Sequence, residues 1–355
     1  MTVKQARVGL VGCGAIGRTH AEALGGIAEA DFVACCDADI QRAQDFAERY
    51  GVRASFGDPL ELINSGNVDV VVICTPHPSH APLATSAAAA GVHALVEKPI
   101  AVTIEEADKM IAAAAAADVN LGVIHQRRFW PAAQRMRAAI DEGKIGVPIY
   151  GECFARLWRN ADYFQRDPWR GTWSGEGGGV LLNQAVHAVD LLQWFMGPVT
   201  EVYGHWANLA HEGTIEVEDT AVATLRFATG ALAVITASTA FNPPAGFRVS
   251  VLGQSGATLS LCETPEGTQG FNDVWTVPGE ELARERWAAE EAGKPGFPQF
   301  HQLQIRDFLR AVLEGIEPAV PGVEARKAIE LVTAIYESER SGAPVHVGVP
   351  GSDQT

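Results

Sequence analysis

The stretch Ala6–Leu24, ARVGLVGCGAIGRTHAEAL, decides the fold of the first part of the chain. A compact apolar run comes first, followed by Gly12, Gly14 and Gly17 and then by helix-forming residues at helical spacing. Such a strand, turn and helix is typical of a dinucleotide-binding unit. The first glycine permits the tight turn, the second lets the backbone approach a pyrophosphate, and the third lets the helix pack closely on the strand. The N-terminus of that helix attracts the phosphates.

Asp37 ends the next apolar run, ADFVACCDAD, about twenty residues after the last of these glycines. A carboxylate at this spacing can accept hydrogen bonds from the adenosine ribose, and it would repel a 2′-phosphate. Asp39 adds a second negative charge, although Arg42 could partly offset the preference. The pattern therefore predicts NAD as the cofactor, with NADP less favoured. A solvated acid at the end of a strand is the alternative interpretation.

Two further apolar runs, VDVVVICTPHPSH and VHALVEKP, each follow a helical pattern, and this alternation predicts a parallel sheet with right-handed crossovers. Ligands of such sheets lie beyond the carboxyl ends of the strands, so we expect the polar residues there to face the cofactor. His77 and His80 could be mistaken for a metal pair, but Pro78 lies between them, and we predict no metal site. The predicted cofactor-binding residues are Gly12, Gly14, Ala15, Ile16, Gly17, Asp37, Thr75, Pro76, His80, Glu97, Lys98 and Gln126.

The composition of the chain restricts its class. It has 355 residues, 47% hydrophobic and 20% charged, which is typical of a globular protein with room for two domains. A formal net charge of −16 argues against nucleic-acid binding. The six cysteines form no CxxC pair, the start is unlike a secretory signal, and no apolar run approaches the ~18 residues of a membrane span. We therefore expect a cytoplasmic protein with reduced thiols and no membrane insertion.

From about Gln126 the pattern changes to a helix after Pro131 and then to several strand-like runs without long helices between them. These runs are VPIYGECFARLW, EVYGHWANLA, DTAVATLRFATG, ALAVITASTAF, FRVSVLGQSG and ATLSLCE. The predicted fold is α/β, with a Rossmann NAD-binding domain over residues 1–124. An α+β domain over residues 125–355 would carry a large, mainly antiparallel, open-faced sheet for substrate binding and oligomerisation. We expect the C-terminal helices to pack back toward the first domain.

The stretch GGGVLLNQAVHAVDLL, residues 177–192, predicts an apolar helix that carries Asn183, His187 and Asp190 on one face. Buried polar groups are costly unless they are paired or used, so these residues are either structural or part of a reaction centre. We expect this helix to face the cofactor across an interdomain cleft, with its glycines allowing close approach to the substrate.

Four motifs, GCGAIGRTH, EKPI, GGGVLLNQAVHAVD and ARKAIELVTAIYESERSG, together resemble the glucose-fructose oxidoreductase and inositol dehydrogenase family (Gfo/Idh/MocA) over nearly the whole chain. The resemblance implies a nicotinamide dinucleotide, sugar or polyol substrates, and an open C-terminal sheet frequently used for oligomer contacts. It places Lys98 at the family's catalytic lysine, with a cis Lys98–Pro99 bond, and His187 at the family's histidine. The family's usual aspartate one turn earlier is Asn183 here, which can hydrogen-bond a hydroxyl but cannot accept its proton.

Oxidation of a secondary alcohol requires removal of the hydroxyl proton while hydride leaves the carbon. We predict that His187 takes the proton, that Lys98 stabilises the developing alkoxide, and that Asn183 orients a neighbouring hydroxyl. Asp190 could fix the imidazole tautomer or belong to a buried network. Aromatic faces and planar hydrogen-bonding groups suit a pyranose, and the further predicted substrate contacts are Arg127, Arg156, Tyr163 and Trp173.

The leading functional hypothesis is an NAD-dependent dehydrogenase that oxidises a secondary hydroxyl of a sugar or glycoside, such as the 3-hydroxyl of a pyranose. Three alternatives stay open: an inositol dehydrogenase, an NAD-dependent glycosidase that oxidises its substrate transiently, and a regulator that binds NAD without turnover. Retention of Lys98 and His187 disfavours the regulator. An exposed sheet face would favour a homodimer or homotetramer.

Overall fold

The computed structural model describes residues 3–291 and 299–348, which form two compact units. The first contains residues 3–126 and 299–326, and the second contains residues 127–291 and 327–348. The strands are β1 Ala6–Val11, β2 Ala30–Cys36, β3 Ala54–Phe56, β4 Val70–Ile73, β5 His93–Val96, β6 Leu121–Val123, β7 Pro148–Arg156, β8 Val199–Ala207, β9 Thr220–Phe227, β10 Leu232–Ser238, β11 Gly246–Gly253, β12 Thr258–Glu263, β13 Phe271–Trp275 and β14 Val345–His346.

The α-helices are α1 Ala15–Leu24, α2 Ile40–Tyr50, α3 Pro59–Ile63, α4 His80–Ala89, α5 Ile104–Ala116, α6 Pro131–Asp141, α7 Ala161–Gln165, α8 Val186–Met196, α9 Ala283–Glu291, α10 Gln299–Glu314 and α11 Gly322–Ser341. Short 3₁₀ segments cover His77–Ser79 and Gln126–Phe129, and Val180–Gln184 forms a π-helical turn. Within the described ranges, no helix combines the length and the apolar character that crossing a membrane requires.

The sheet of the first unit is parallel throughout, with the strand order β3-β2-β1-β4-β5-β6. Helices and strands alternate along this part of the chain, and β4 is fully buried, as expected for a parallel sheet covered on both faces. The direction of chain progression reverses between β1 and β4, where a doubly wound sheet opens a crevice at the carboxyl ends of its strands. This topology confirms the predicted Rossmann fold.

Helix α10 contributes to the core of the first unit, although it lies far along the chain. Its residues Ile305, Phe308 and Leu309 are buried in one cluster with Leu10 of β1. Gly122 of β6 makes room for this packing, because a Cβ atom there would lie 2.6 Å from the Phe308 ring. The first unit therefore needs a segment from the end of the chain to complete its core.

The sheet of the second unit has the order β13-β12-β11-β7-β10-β9-β8-β14 and is antiparallel except for the parallel pair β7 and β10. This confirms the predicted, mainly antiparallel sheet. Helix α8 packs on one face, where Gly151 of β7 approaches Leu192 and Met196. The opposite face carries exposed apolar side chains, among them Val222 and Leu232. Four strands, β3, β6, β13 and β14, were not predicted from the sequence, because runs of two to five residues are too short to show a period.

Candidate functional site

The three glycines after β1 have different surroundings. A Cβ atom at Gly12, where φ is +103°, would lie 2.6 Å from the carbonyl oxygen of Cys74, and one at Gly17 would collide with the carbonyl oxygen of Gly12. Around Gly14, by contrast, no described residue beyond its own stretch of backbone has an atom within 4 Å of the Cβ position. Gly12 and Gly17 are therefore needed by the fold, whereas Gly14 leaves the open space that a pyrophosphate requires.

Helix α1 begins directly at this open space. No described side chain caps its N-terminus at Gly14, and its first turn contains no acidic residue. The free N–H groups and the positive end of the helix macrodipole therefore favour an anion beside Gly14. Ala15 and Ile16, predicted as cofactor contacts, form the start of this helix.

The carboxylate of Asp37 is hydrogen-bonded to the glycine loop that follows β1. Its Oδ2 accepts a hydrogen bond of 3.0 Å from the N–H of Cys13, and its Oδ1 accepts one of 3.0 Å from the N–H of Asp39. The Arg42 guanidinium lies 3.2 Å from Asp37 and 3.5 Å from Asp39, but the Arg42 side chain is 56% exposed. The structure thus brings Asp37 and the glycines together as an NAD site requires, with Arg42 directed at the two acids.

His80 is a buried residue whose imidazole is hydrogen-bonded to two loops of the first unit. It is 0% exposed, and its ring nitrogens each lie 2.9 Å from a backbone carbonyl oxygen, that of Thr75 and that of Pro99. Burial lowers the pKa of this imidazole, while the two carbonyls act in the opposite direction. The ring has no accessible surface, and the role of His80 as a cofactor contact stays a prediction. It connects the loops that follow β4 and β5, where Thr75 also accepts a 2.6 Å hydrogen bond from Ser79.

Glu97 is held by two histidines that were not predicted from the sequence. His20 Nε2 lies 2.6 Å from Oε1 of Glu97, and His301 Nε2 lies 3.8 Å from the same oxygen. The backbone N–H of Lys98 donates to the other oxygen at 3.1 Å. Burial opposes ionisation of Glu97, but the hydrogen bond from His20 and the nearby His301 and Lys98 lower its pKa to about 2. Within the described residues, His20, Glu97 and His301 are close enough to ligate an ion, but the 2.6 Å separation is that of a charge-assisted hydrogen bond.

Two further observations concern predicted cofactor residues. The Lys98–Pro99 bond is cis, as the family resemblance implied. The side-chain oxygen of Gln126 is buried and has no hydrogen-bond partner among the described residues. A buried acceptor in this state is suited to a ligand amide. The open space at Gly14, the Asp37 carboxylate and this oxygen together fit NAD.

In the second unit, the glycine run before α8 packs against protein. Glu218 is buried and accepts hydrogen bonds from the N–H groups of Gly179 (2.7 Å) and Leu181 (2.9 Å) and from the Tyr336 hydroxyl (2.9 Å). Burial raises the pKa of Glu218 to about 7, against the effect of these donors. A Cβ atom at Gly179 would collide with the Glu218 carbonyl, and one at Gly178 with the Tyr336 hydroxyl. The expectation that these glycines allow close approach to a substrate is therefore wrong for Gly178 and Gly179.

The same segment is not one continuous α-helix. Val180–Gln184 is a π-helical turn, in which Ala185 N–H donates to the carbonyl of Val180 at 2.7 Å, and α8 begins at Val186. The assumed i, i+4 spacing of Asn183 and His187 on a regular helix is therefore wrong, because the extra residue in the turn rotates Asn183 relative to α8. Such π-turns are frequent at functional sites.

The polar residues of this segment have distinct partners. Asn183 is 9% and His187 6% exposed, and the Asn183 amide nitrogen donates to Glu176. Asp190 forms a buried bidentate pair with Arg128, at 2.7 and 2.8 Å. This contact supports the interpretation of Asp190 as a member of a buried network. Glu176 and Arg128 were missed, since nothing in their sequence neighbourhood indicates these partners.

Tyr163 and Trp173 lie in the same unit as Asn183. The Tyr163 hydroxyl accepts hydrogen bonds from Arg170 (2.7 Å) and from Gln184 of the π-turn (3.1 Å). This places Tyr163 beside the segment that carries Asn183. Trp173 packs against the rings of Trp206 and Tyr336, with centroid distances of 5.5 and 5.4 Å. Their roles as substrate contacts stay predictions.

The two predicted arginines are engaged elsewhere. Arg127 lies 2.6 Å from Glu263 and 4.2 Å from the centroid of the Phe247 ring, and is largely buried. Arg156 is stacked on Phe154. Because side chains alternate along β7, Arg156 points away from the face on which Gly151 meets α8. Arg156 therefore starts from the other face of β7 than Gly151, and its role as a substrate contact stays a prediction.

Comparisons with known proteins agree with this architecture. Residues 6–125 match the oxidoreductase family with an NAD-binding Rossmann fold, and residues 133–258 match the GFO/IDH/MocA C-terminal domain. Myo-inositol 2-dehydrogenase of Thermotoga maritima is 30% identical over 337 residues, which are 94% of this chain and 96% of the relative. D-apiose dehydrogenase of Paraburkholderia graminis is 29% identical, over 98% of this chain and 91% of the relative.

Among solved structures, the WlbA dehydrogenase from Bordetella pertussis, crystallised with NADH and UDP-GlcNAcA, superposes with a TM-score of 0.86 at 31% identity. The alignment covers 98% of this chain and 100% of that one. With matching domains in the same order along almost the full length, this chain belongs to the GFO/IDH/MocA family of NAD-dependent oxidoreductases.

Proposed function

We propose that the protein oxidises a secondary hydroxyl of a sugar, glycoside or cyclitol, with the 3-hydroxyl of a pyranose as the leading position. The observation that carries the proposal is the segment of Asn183 and His187, which buried hydrogen bonds to Glu218 hold in one conformation. Rigid support of this kind suits residues that must meet a reacting group accurately. Two relatives, a myo-inositol 2-dehydrogenase and a D-apiose dehydrogenase, support a polyol substrate.

The mechanism divides the reaction between cofactor and protein. The hydride acceptor is the nicotinamide that NAD supplies when bound. The chain must remove the hydroxyl proton, and a histidine suits this task because its ordinary pKa of ~6.5 lies near neutrality. We assign this role to His187. The Lys98 ammonium stabilises the alkoxide that develops as the proton leaves, and Asn183 hydrogen-bonds a hydroxyl of the substrate.

The proposal is tested by incubating the protein with NAD and a panel of methyl pyranosides, free sugars and cyclitols while NADH absorbance is recorded. We expect one group of polyols to give NADH, and His187→Ala and Lys98→Ala each to lower kcat/KM by about 10²–10⁴-fold. Thermal unfolding and NAD titration of the variants are the controls for folding. No NADH from any polyol with folded, NAD-bound protein would contradict the proposal. Release of an aglycone without net NADH would favour the glycosidase alternative.

We further propose that the chain forms a homodimer or homotetramer through the open face of the second sheet. The support is the apolar character of that face, where Val222 of β9 and Leu232 of β10 are exposed. The Val222→Asp/Leu232→Asp variant should run as a monomer in size-exclusion chromatography with light scattering. An unchanged oligomer would place the interface elsewhere.

A cytoplasmic location is also proposed. Its support is that the six cysteines are free thiols, and that five of them are buried. Thiols of this kind are typical of a reducing compartment. Fractionation of cells that produce the untagged protein is the test.

A further inference from the structure

His20 is a buried histidine of α1 that the mechanism above does not use. Its side chain is 0% exposed, and its Nε2 lies 2.6 Å from Oε1 of Glu97. The other ring nitrogen, Nδ1, is buried and has no hydrogen-bond partner among the described residues. The contact with Glu97 is therefore the one hydrogen bond of this ring within the described part of the chain, and it accounts for a polar side chain at this place in the core.

The charge of Glu97 determines the direction of this hydrogen bond. Burial opposes ionisation, but the hydrogen bond from His20 and the neighbouring positive charges lower the pKa of Glu97 to about 2, so the group is ionised at neutral pH. An ionised carboxylate only accepts hydrogen bonds, and Nε2 of His20 is therefore the donor. Nε2 of His301 lies 3.8 Å from the same oxygen, which is beyond hydrogen-bond distance. Of these two histidines, His20 is thus the one that holds the carboxylate.

The second oxygen of Glu97 holds the main chain of Lys98. Oε2 accepts a 3.1 Å hydrogen bond from the N–H of Lys98. The N–H of Glu97 itself donates to the carbonyl of Ile73 at 2.9 Å, which fixes the Glu97 backbone beside the end of β4. The Glu97 carboxylate therefore connects α1 with the backbone nitrogen of Lys98, and the direction of this carboxylate depends on His20.

The main chain on the other side of Lys98 is held as well. The carbonyl oxygen of Pro99 lies 2.9 Å from Nδ1 of His80, whose side chain is fully buried. The backbone at Lys98 thus lies between two buried histidines. The contact before Lys98 is charge-assisted, and such hydrogen bonds are about twice as strong as neutral ones. Loss of the His20 donor would leave the buried Glu97 charge less compensated and would release the Lys98 main chain on that side.

We propose that His20 is a positioning residue for Lys98: it holds the carboxylate of Glu97, which in turn holds the N–H of Lys98, so that the lysine side chain starts from a fixed main chain. A fixed start is needed because an ammonium group stabilises a developing alkoxide only from an accurate position. The effect on turnover rests on the proposed function, whereas the series of contacts from His20 to Lys98 does not.

The test compares two substitutions of nearly equal size. His20→Gln keeps a donor, because the amide nitrogen of glutamine can take the place of Nε2, whereas His20→Met removes the donor. If His20→Met is insoluble, His20→Asn replaces it, because its shorter amide does not reach Glu97. His211→Met is the matched control. His211 is also buried and lies 3.1 Å from a carboxylate, that of Asp219, but it belongs to the second unit.

The first measurement is hydrogen exchange at the Lys98 amide in the full chain without ligand. Of the six lysines, Lys98 alone follows a glutamate, so ¹³C-carbonyl labelling of glutamate with ¹⁵N labelling of lysine gives one NMR correlation, that of Lys98. Exchange should be at least about tenfold faster in His20→Met, and within about threefold of the original rate in His20→Gln and His211→Met. Unchanged exchange in His20→Met, or an equal increase in either of the other two variants, would overturn the proposal.

Kinetics with NAD and the best polyol of the panel, beginning with myo-inositol and methyl α-D-glucopyranoside, then test the effect on turnover. His20→Met should lower kcat at least about tenfold while KM for the polyol changes less than about threefold, because the alkoxide develops only in the transition state. His20→Gln should keep kcat within about threefold of the original. Faster exchange at Lys98 with unchanged kcat would overturn the positioning role. If the original protein oxidises no polyol, the proposed function fails, while the exchange rates still decide whether His20 holds Lys98.

Discussion

Gly14 and Gly179 each precede a helical segment, but their surroundings are opposite. The Cβ position of Gly14 is open within the described structure, whereas that of Gly179 is occupied by the carbonyl of Glu218. The first glycine keeps space for a ligand, and the second lets two parts of the protein touch. Glycine-rich motifs with similar sequences therefore serve different purposes, and only the neighbouring atoms distinguish them.

The sharpest test of this comparison replaces each glycine with alanine. Gly179→Ala should lower Tm by more than about 10 °C or give insoluble protein, because the new methyl group meets backbone that cannot move. Gly14→Ala should leave Tm within about 3 °C and weaken NAD binding at least about tenfold, since φ of −75° suits alanine and the methyl enters the ligand space. Thermal unfolding and NAD titration measure both effects. Equal Tm losses would contradict the distinction.

The next largest effect is expected at Asp37, whose carboxylate lies beside the loop that contains Gly14. Asp37→Asn should lower the ratio of kcat/KM for NAD to that for NADP by at least about tenfold, because it removes the charge that repels a 2′-phosphate. The substitution keeps a side-chain oxygen for the hydrogen bond from Cys13. A folded variant with an unchanged ratio would assign cofactor choice to other residues.

The packing of Glu218 against Gly179 predicts that the stability of the protein depends on pH. Glu218 has a pKa of about 7 in the folded protein, above the ordinary 4.5 of a glutamate. The folded state therefore binds the proton more tightly, and the stabilisation present below pH 4.5 is lost as pH rises toward 7. Glu218→Gln should remove this pH dependence of the free energy of unfolding. Its total size over the titration is at most about 3 kcal/mol.

The measurement is the free energy of unfolding of both proteins between pH 5 and pH 8, with Glu212→Gln as an exposed control. Parallel curves for the original protein and Glu218→Gln would show that Glu218 stays ionised throughout this range.

The smallest effect is expected at Arg42, which lies beside Asp37 and Asp39. Its guanidinium pairs with Asp37 and Asp39 but is more than half exposed, so the pairs contribute about 0–1 kcal/mol. Arg42→Ala should change Tm by less than about 3 °C and KM for NADP by less than about fivefold. A larger rise in KM for NADP would show that Arg42 binds the 2′-phosphate itself.

Much of the fold was predictable from local pattern. The alternation of apolar runs and helical periods in the first part of the chain requires few long-range assumptions, and it predicted four of the six strands of the parallel sheet, β1, β2, β4 and β5. The π-turn at Val180–Gln184 was not predictable, because five apolar and polar residues show the same pattern in either kind of helix. The partners of Glu97 were also hidden, since His20 and His301 lie in helices far apart along the sequence.

The sequence by itself determined the two glycine-containing motifs, the acid at position 37, and the presence of Lys98 and His187, because each depends on residue type and short-range spacing. Tertiary structure decided that His80 turns inward, that Arg156 lies on the far face of β7, and that Glu176 holds Asn183. The physical reason is that the direction of a side chain depends on the atoms packed around it. Those atoms come from elements that meet only when the chain has folded.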